Sequence, residues 1–277
     1  MKRFSRFRLY YDNNPIPFGE ISDILELQLG YALIPLVNKE EEVRVSGYKK
    51  KDRPLLAEVT SCRNYFSAVY GIHLPAVHIR DNMCLGEDEY AIYMNGIEYG
   101  KGHVYTNHVF CIETNCVEQI IENKARKETY PFLEFEKEGY WIPEEDARSF
   151  EDAGYAILFP EQIIKAHLVE IIKKNITKVL NQNLVNQLII KVREINPDVV
   201  DDLFFTKEYT TSELKILLNT LLGIGFSIRD MNTILETIAD WLNVCRDKEF
   251  LFGKVKEKLV DLQKSEIRLE KKNYEST

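Results

Sequence analysis

Several features that mark membrane and secreted proteins are missing from this 277-residue sequence. No apolar run reaches the roughly 18 residues that a membrane-spanning helix needs. The opening MKRFSRFRLYYDNN is basic but lacks the apolar core of a signal peptide. The five cysteines are an odd number without the spacing of a disulfide framework, which favours reduced thiols. These absences together predict a cytoplasmic protein.

Basic residues are also outnumbered by acidic ones. The sequence has 36 lysine and arginine residues against 44 aspartate and glutamate residues, which gives a net charge of −8. A general nucleic-acid binder needs a basic face that contacts phosphates. We therefore expect no nucleic-acid partner.

Enzyme signatures are absent too, since the sequence has no Walker loop, no GxGxxG and no GxSxG. His103, His108, Cys111 and Cys116 place four potential metal ligands within 14 residues. Their spacing, H-x4-H-x2-C-x4-C, is not a usual zinc arrangement, and buried thiols are the simpler interpretation of the cysteines. We expect no metal, no cofactor and no catalytic site. A metal enzyme built on these four residues is the last alternative.

Two further polar groups have a structural and a functional interpretation. His167 lies on the apolar face of a predicted helix, where a core histidine bonded to the backbone is commoner than a catalytic base. The run Glu87-Asp88-Glu89 could bind a cation, but such runs are usually solvated turns. The structural interpretation is preferred for both.

The clearest β pattern lies at 75–102. A short apolar run at 77–79 is followed by an alternating strand at 90–94 and by Asn95-Gly96, the strongest two-residue hairpin signal. A strand containing a proline is predicted at 30–37, where the proline favours an edge or a bulge. Further strands are predicted at 104–112, 140–142 and 155–159.

Helical spacing of apolar residues predicts helices at 54–71, 143–153, 161–180 and 182–194. Two capping boxes, Thr210 with Glu213 and Ser227 with Asp230, predict where two later helices begin. The charged stretch 124–138 predicts a loop or an arm. The charged tail 261–277 is either a solvated helix or disordered.

Five stretches taken together carry a family resemblance. They are LELQLGYALIPLV (25–37), PAVHIRDNMCLGEDEYAIYMNGIEYGKG (75–102), YWI (140–142), DAGYAILFPEQIIKAHLVEIIKKN (152–175) and LLNTLLGIGFSIRDMNTILETIADW (217–241). In order and spacing they resemble the FHIPEP family, the cytoplasmic domain of the export-gate protein of flagellar and injectisome type III secretion. The resemblance covers about residues 23–245, and the combination of pieces is specific.

The resemblance implies an α+β fold with a mixed α/β first subdomain, a small ferredoxin-like α/β subdomain inserted into it, and an α-helical subdomain after it. The implied division of this chain is an N-terminal arm at 1–22, a first subdomain at 23–115 plus 178–200, an insertion at 116–177, a helical subdomain at 201–260 and a charged tail at 261–277.

The resemblance also implies a non-enzymatic function. The family domain forms a ring of nine below the membrane and binds export chaperones with their substrates at a cleft between the first two subdomains. Asp152 and Tyr155 match an acidic residue that precedes an aromatic one by three positions near that cleft. The alternative is that Asp152 is a surface acid and Tyr155 a core residue that opens a strand. We expect Asp152→Ala and Tyr155→Ala to weaken partner capture without unfolding the protein.

Three parts of the family pattern are not found in this sequence: the membrane half, the fourth C-terminal subdomain and a proline- and glycine-rich run that would fall at 116–139. The resemblance then implies a cytoplasmic protein, peripheral to the inner membrane, that works with a separately encoded membrane export component. The alternative is a standalone paralogue used as a soluble regulatory or structural protein outside secretion.

Overall fold

A computed structural model describes residues 24–37, 54–114, 126–133 and 138–274. The chain divides into two compact units, the first within Met1–Arg63 and Pro75–Lys174, the second within Asn64–Leu74 and Asn175–Thr277. Every strand in the described ranges lies in the first unit, so the predicted α+β class is confirmed. The finer subdomain boundaries stay predictions. The predicted arm at 1–22 and Cys116 lie outside the described residues.

The first unit contains a four-stranded sheet in the order β2-β1-β3-β4. Strand β1 runs parallel to β2 and antiparallel to β3, and its three leucines face the core. Asn95 and Gly96 have φ values of 50° and 76°, as the predicted hairpin between β3 and β4 requires. The strands are β1 (Leu25–Leu29), β2 (Val77–Asp81), β3 (Glu89–Met94) and β4 (Ile97–His103).

The strand predicted at 30–37 is wrong. The strand lies earlier, at β1, and Tyr31–Leu36 form a 3₁₀ helix. Leucines at every second position of β1 alternate inward, whereas Pro35 has no N–H to give to a ladder. The Gly30 N–H donates to the Glu89 carbonyl at 2.8 Å, and a Cβ on Gly30 would lie 2.0 Å from the Gly86 carbonyl oxygen. The chain therefore turns out of the sheet here.

The second sheet is antiparallel, in the order β6-β7-β5-β8. Its strand β6 falls in the stretch predicted as a loop or arm, and that prediction is wrong for these four residues. The sequence RKET has no apolar alternation, so its strand depends on pairing with β7 and on the Lys127–Glu138 ion pair. The strands are β5 (His108–Ile112), β6 (Arg126–Thr129), β7 (Glu138–Pro143) and β8 (Ala156–Leu158).

The helices follow the predicted pattern with two corrections. The helix predicted at 161–180 is interrupted at Asn175, whose φ of −120° and ψ of 22° lie outside the helical region. The capping box at Thr210 and Glu213 is confirmed, but Ser227 does not begin a helix. Ser227 Oγ accepts from the Arg229 N–H, and Asp230 provides the cap by accepting from the Thr233 N–H.

The helix that includes part of the charged tail continues to Tyr274, as one of the two alternatives predicted. None of the helices within the described ranges is long and apolar enough to cross a membrane. The helices are α1 (Pro54–Tyr70), α2 (Ala147–Asp152), α3 (Pro160–Lys174), α4 (Ile176–Val179), α5 (Gln182–Ile195), α6 (Pro197–Asp201), α7 (Thr211–Gly223), α8 (Met231–Leu242) and α9 (Lys248–Tyr274).

Candidate functional site

One face of the second sheet is covered by the short helix α2. Side chains from β5, β7 and α2 and the residue that precedes β8 form a buried cluster there, and none of them is more than 4% exposed. The members of the cluster are Val109, Cys111, Ile142, Ala147 and Tyr155. This cluster fixes α2 on the sheet, so the end of α2 is a rigid position on the surface of the first unit.

Asp152 is the last residue of α2, and its side chain is exposed. Four neighbours in the sequence, Phe150, Ala153, Ile157 and Phe159, are partly buried and pack on the cluster beneath. We call these four apolar residues together with Asp152 the Asp152 patch. It combines a solvated carboxylate with half-covered apolar side chains, which is the composition of many protein-binding surfaces.

Backbone hydrogen bonds and a glycine hold the turn that follows Asp152. Gly154 has a φ of 93°, which a residue with a Cβ adopts only with strain. Its N–H donates to the Glu151 carbonyl at 2.9 Å, and the Tyr155 N–H donates to the Phe150 carbonyl at 3.0 Å. Thr114 Oγ1 donates to the Gly154 carbonyl at 2.5 Å. The sequence Asp-Ala-Gly-Tyr is therefore a helix end whose glycine is required by the turn.

The structure brings Asp152 and Tyr155 to the same helix end but gives them different surroundings. Tyr155 is 3% exposed, and its ring centre lies 5.3 Å from that of Phe150. In this conformation Tyr155 supports the patch from below, while Asp152 faces solvent. The expectation that Tyr155→Ala leaves the fold intact does not fit this burial, because removing the ring would leave a cavity in the core. The role of either residue in binding stays a prediction.

The other face of the second sheet carries an aromatic and polar network that the sequence analysis missed. The Trp141 Nε1–H lies 2.9 Å from a Glu128 oxygen, and the second Glu128 oxygen pairs with His103. The Tyr130 hydroxyl donates to the His103 carbonyl at 2.7 Å. The ring centres of Phe110 and Tyr130 lie 5.1 Å apart. Only the pairing of β6 with β7 places Glu128 near Trp141, so no local sequence signal could have shown it.

The predicted metal ligands have other roles where the structure describes them. His103 pairs with Glu128, and His108 Nδ1 lies 3.1 Å from the Thr106 carbonyl oxygen. Cys111 is fully buried in the cluster beneath α2, and burial raises the pKa of its thiol to about 12. Within the ranges that the structure describes, no group of three His, Cys, Asp or Glu side chains is placed to hold a metal ion.

His167 is a packed histidine, but its partner differs from the prediction. Its Nδ1 lies 2.9 Å from the Tyr90 hydroxyl rather than bonding to the backbone. Its ring stacks on Phe132 with centroids 4.2 Å apart. Burial, with a smaller contribution from Lys174, lowers the pKa of His167 to about 4. The ring is therefore neutral near pH 7 and serves packing.

The chain is similar to proteins of known sequence and of known structure. The flagellar biosynthesis protein FlhA of Treponema pallidum (strain Nichols) is 32% identical over 219 residues, which are 79% of this chain and 29% of that relative. The Chlamydia pneumoniae CdsV protein superimposes with a TM-score of 0.69 at 22% identity, covering 88% of this chain and 66% of that one. The structure described as nonameric EPEC SctV-C gives a TM-score of 0.56 at 17% identity, covering 87% of this chain and 66% of that one.

These comparisons agree with the resemblance seen in the sequence. The chain spans about a third of the length of the curated relatives that it matches. The solved structures, at such low identity, show a shared fold. The model of the FHIPEP family matches residues 18–274, nearly the whole sequence. The chain therefore belongs to the FHIPEP family.

Proposed function

We propose that this protein is a non-enzymatic docking module of a type III protein export apparatus, flagellar or injectisome-like. The observation that carries the proposal is membership of the FHIPEP family together with an exposed acid in an apolar surface at the position where the resemblance implies partner binding. Its partners in this proposal are export chaperones and their secretion substrates.

The proposed mechanism is recognition at the Asp152 patch. A partner would bury Phe150, Ile157 and Phe159 further by laying apolar side chains of a helix or linker against them. The Asp152 carboxylate would then accept hydrogen bonds from a partner's backbone or basic side chain, and these become stronger as water leaves. The turn at Gly154 and the cluster beneath hold the patch in place, so binding orders little of this chain.

Self-association is the second part of the proposal. EPEC SctV-C, which has a similar fold, is described as nonameric, and we extend homo-oligomer formation to this chain. Several copies in one assembly would multiply weak contacts with a partner into tight overall binding. In this proposal a membrane export component holds the assembly at the cytoplasmic side of the inner membrane.

A pull-down from native host extract, read by mass spectrometry, tests the docking role. The bait variants are wild type, Asp152→Lys, and Glu87→Lys as a control that makes the same charge change at an exposed acid elsewhere in the first unit. We expect wild type and the control to capture export chaperones or secretion substrates. Asp152→Lys should capture at least about tenfold less, because charge reversal in the interface costs about 1.4 kcal/mol or more.

Two results would count against this proposal. Equal capture of export proteins by Asp152→Lys and the control would move the binding site away from the patch. If the chain captures only proteins that are unrelated to secretion, the export role is rejected and the standalone paralogue is favoured.

A further inference from the structure

The second sheet ends in two edge strands of opposite character. In the order β6-β7-β5-β8, β6 and β8 each pair with a single described strand. An edge strand presents backbone N–H and C=O groups that can pair with another chain, and natural sheets often block such pairing with charged side chains. Strand β6 has the charged sequence RKET, whereas β8 has the sequence AIL. Strand β8 is therefore the unprotected edge of this sheet.

The first sheet shows how unusual β8 is. Its edge strands are β2, with the sequence VHIRD, and β4, with the sequence IEYGKGH, and both carry charged side chains. Among the edge strands in the described ranges, β8 alone lacks a charged residue. Such an edge promotes unwanted pairing between chains, so it is typical of a surface that a partner covers.

The backbone of β8 can accept a further strand. Ala156–Leu158 pair antiparallel with Phe110–Ile112 of β5. Their backbone makes no other hydrogen bond to a residue that the structure describes. In an antiparallel pair, the backbone groups of alternate residues point away from the partner strand. Ala156 is exposed, and Ile157 and Leu158 are half-buried, so solvent reaches this edge.

Apolar side chains on one face of β8 add to what the backbone offers. Three residues alone form too short a strand to hold a partner firmly. Ile157 packs on the cluster beneath α2, as do Phe150 and Phe159, and all three are only half-buried. A strand added to β8 would place a side chain next to Ile157 on the same face of the sheet. A segment with apolar residues at alternate positions therefore fits this edge.

The charge near β8 specifies the segment further. Residues 144–159, which include α2 and β8, contain a single basic side chain, Arg148. Asp152 ends α2 four residues before β8 begins, and its exposed carboxylate has no ion-pair partner among the described residues. A basic residue in the bound segment would be attracted to the carboxylates of this stretch. These are Glu144, Glu145, Asp146, Glu151 and Asp152.

We infer that β8 binds by strand addition and takes an extended segment of a secretion substrate as a fifth strand of the second sheet. The segment has apolar side chains at alternate positions and a basic residue toward the carboxylates. This inference rests on the proposed docking function and specifies its geometry: the partner contributes an unfolded linker rather than a helix. Backbone hydrogen bonds give such a contact affinity that depends little on the sequence bound, which suits a module that accepts more than one substrate.

Fluorescence anisotropy of the full chain with labelled synthetic peptides tests the pairing. The parent peptide has about ten residues, the upper length of common strands, and alternates valine with threonine before a terminal lysine. Two matched peptides carry N-methyl groups at the odd or at the even positions, which removes the backbone donors of one edge only. We expect the parent to bind saturably and one methylated peptide to bind at least about tenfold more weakly than the other. Equal affinities of the two methylated peptides, or no binding of the parent, would overturn strand addition.

Two lysine substitutions identify the edge that the peptide uses. Ala156→Lys places on β8 the kind of charge that protects natural edges, at a side chain that is exposed. Thr129→Lys is the control, because it adds the same charge at an exposed position of β6, the opposite edge. We expect Ala156→Lys to weaken peptide binding by about tenfold or more and the control to bind as wild type does. Both variants should keep the wild-type melting temperature, and equal binding by all three chains would contradict pairing at β8.

Hydrogen–deuterium exchange with a chaperone–substrate pair of the host separates this inference from the docking function. We expect amides of Ala156–Leu158 that exchange fast in the free chain to become protected in the complex. A pair that binds without protecting them would overturn strand addition and leave the docking function intact. A pair that does not bind would contradict the docking function as well. A dimer of the chain alone that Ala156→Lys dissociates would assign the edge to a second copy and overturn the inference.

Discussion

His167 shows how a polar residue can be structural on the apolar side of a helix. Its ring stacks on Phe132 and its Nδ1 lies beside the Tyr90 hydroxyl. A Cβ added to Gly100 would lie 2.8 Å from His167 Nε2 and 2.7 Å from Ile171 Cδ1. The imidazole is thus enclosed by a strand and a helix of the first unit, and a charged form has little room for water.

The lowered pKa of His167 predicts a dependence of stability on pH. The unfolded chain binds a proton at this histidine with a pKa near 6.5 and the folded chain only at about 4, so acid favours unfolding. The contribution of the neutral His167 ring to the free energy of unfolding is complete above the unfolded pKa. It is lost as pH falls from 6.5 to about 4. Urea unfolding near neutral pH and at about pH 4.5 should show that wild type loses more stability than His167→Gln.

An exposed histidine provides the comparison. His78→Gln should follow the wild-type pH dependence, because the His78 side chain is exposed. A stability difference between wild type and His167→Gln that is the same at both pH values would contradict a neutral, buried imidazole.

Two glycines allow a matched test of local packing. Gly100→Ala should destabilise the protein by about 1–3 kcal/mol, because the new methyl overlaps Ile171 and His167. Gly253→Ala, inside α9 with nothing within 4 Å of the new Cβ, should stabilise it by about 0.5–1 kcal/mol. Thermal and urea unfolding measure both. A stabilising Gly100→Ala would show that β4 and α3 are less tightly packed than described.

The beginning of α7 is the element whose sequence signal and geometry agree most closely. Thr210 accepts from the Glu213 N–H at 3.1 Å, and a Glu213 oxygen accepts from the Thr210 N–H at 2.8 Å. Thr210→Ala should lower the free energy of unfolding by about 1 kcal/mol. Ser227 lies at the cap that was predicted wrongly, so Ser227→Ala should lower the free energy of unfolding much less. Equal losses in urea unfolding would mean that Ser227 stabilises α8 after all.

How well each element could be predicted depended on where its stabilising contacts lie. The hairpin at Asn95-Gly96 and the cap at Thr210 depend on residues a few positions apart, so the sequence shows both. Strand β6 depends on its partner β7, which lies beyond a stretch of undescribed residues, and its charged sequence has no periodicity. Tyr31–Leu36 read as a strand because a short apolar run does not distinguish a strand from a tight helix.

The candidate site shows the same limit. Tyr155, Ile157 and Phe159 alternate, so the sequence places them on one face of a strand. Which face α2 covers is decided by contacts with β5 and β7, about 40 and 15 residues earlier in the chain. The burial of Tyr155 therefore needed the structure, whereas the position of Asp152 at a helix end followed from the family resemblance.

For the whole molecule, family membership explains the fold of both units. The Asp152 patch on the first unit faces a chaperone or substrate in the proposal. Asp152→Lys should therefore weaken partner binding and leave the sedimentation of the chain alone unchanged.

Direct titration of the purified chain with an export chaperone of the host, carrying its substrate, tests the central claim most directly. We expect saturable binding by wild type and by Glu87→Lys, and binding weaker by about tenfold or more for Asp152→Lys. An Asp152→Lys chain that stays folded and binds with wild-type affinity would contradict docking at the patch. A wild-type chain that binds no chaperone–substrate pair of the host's export apparatus would contradict the docking function itself.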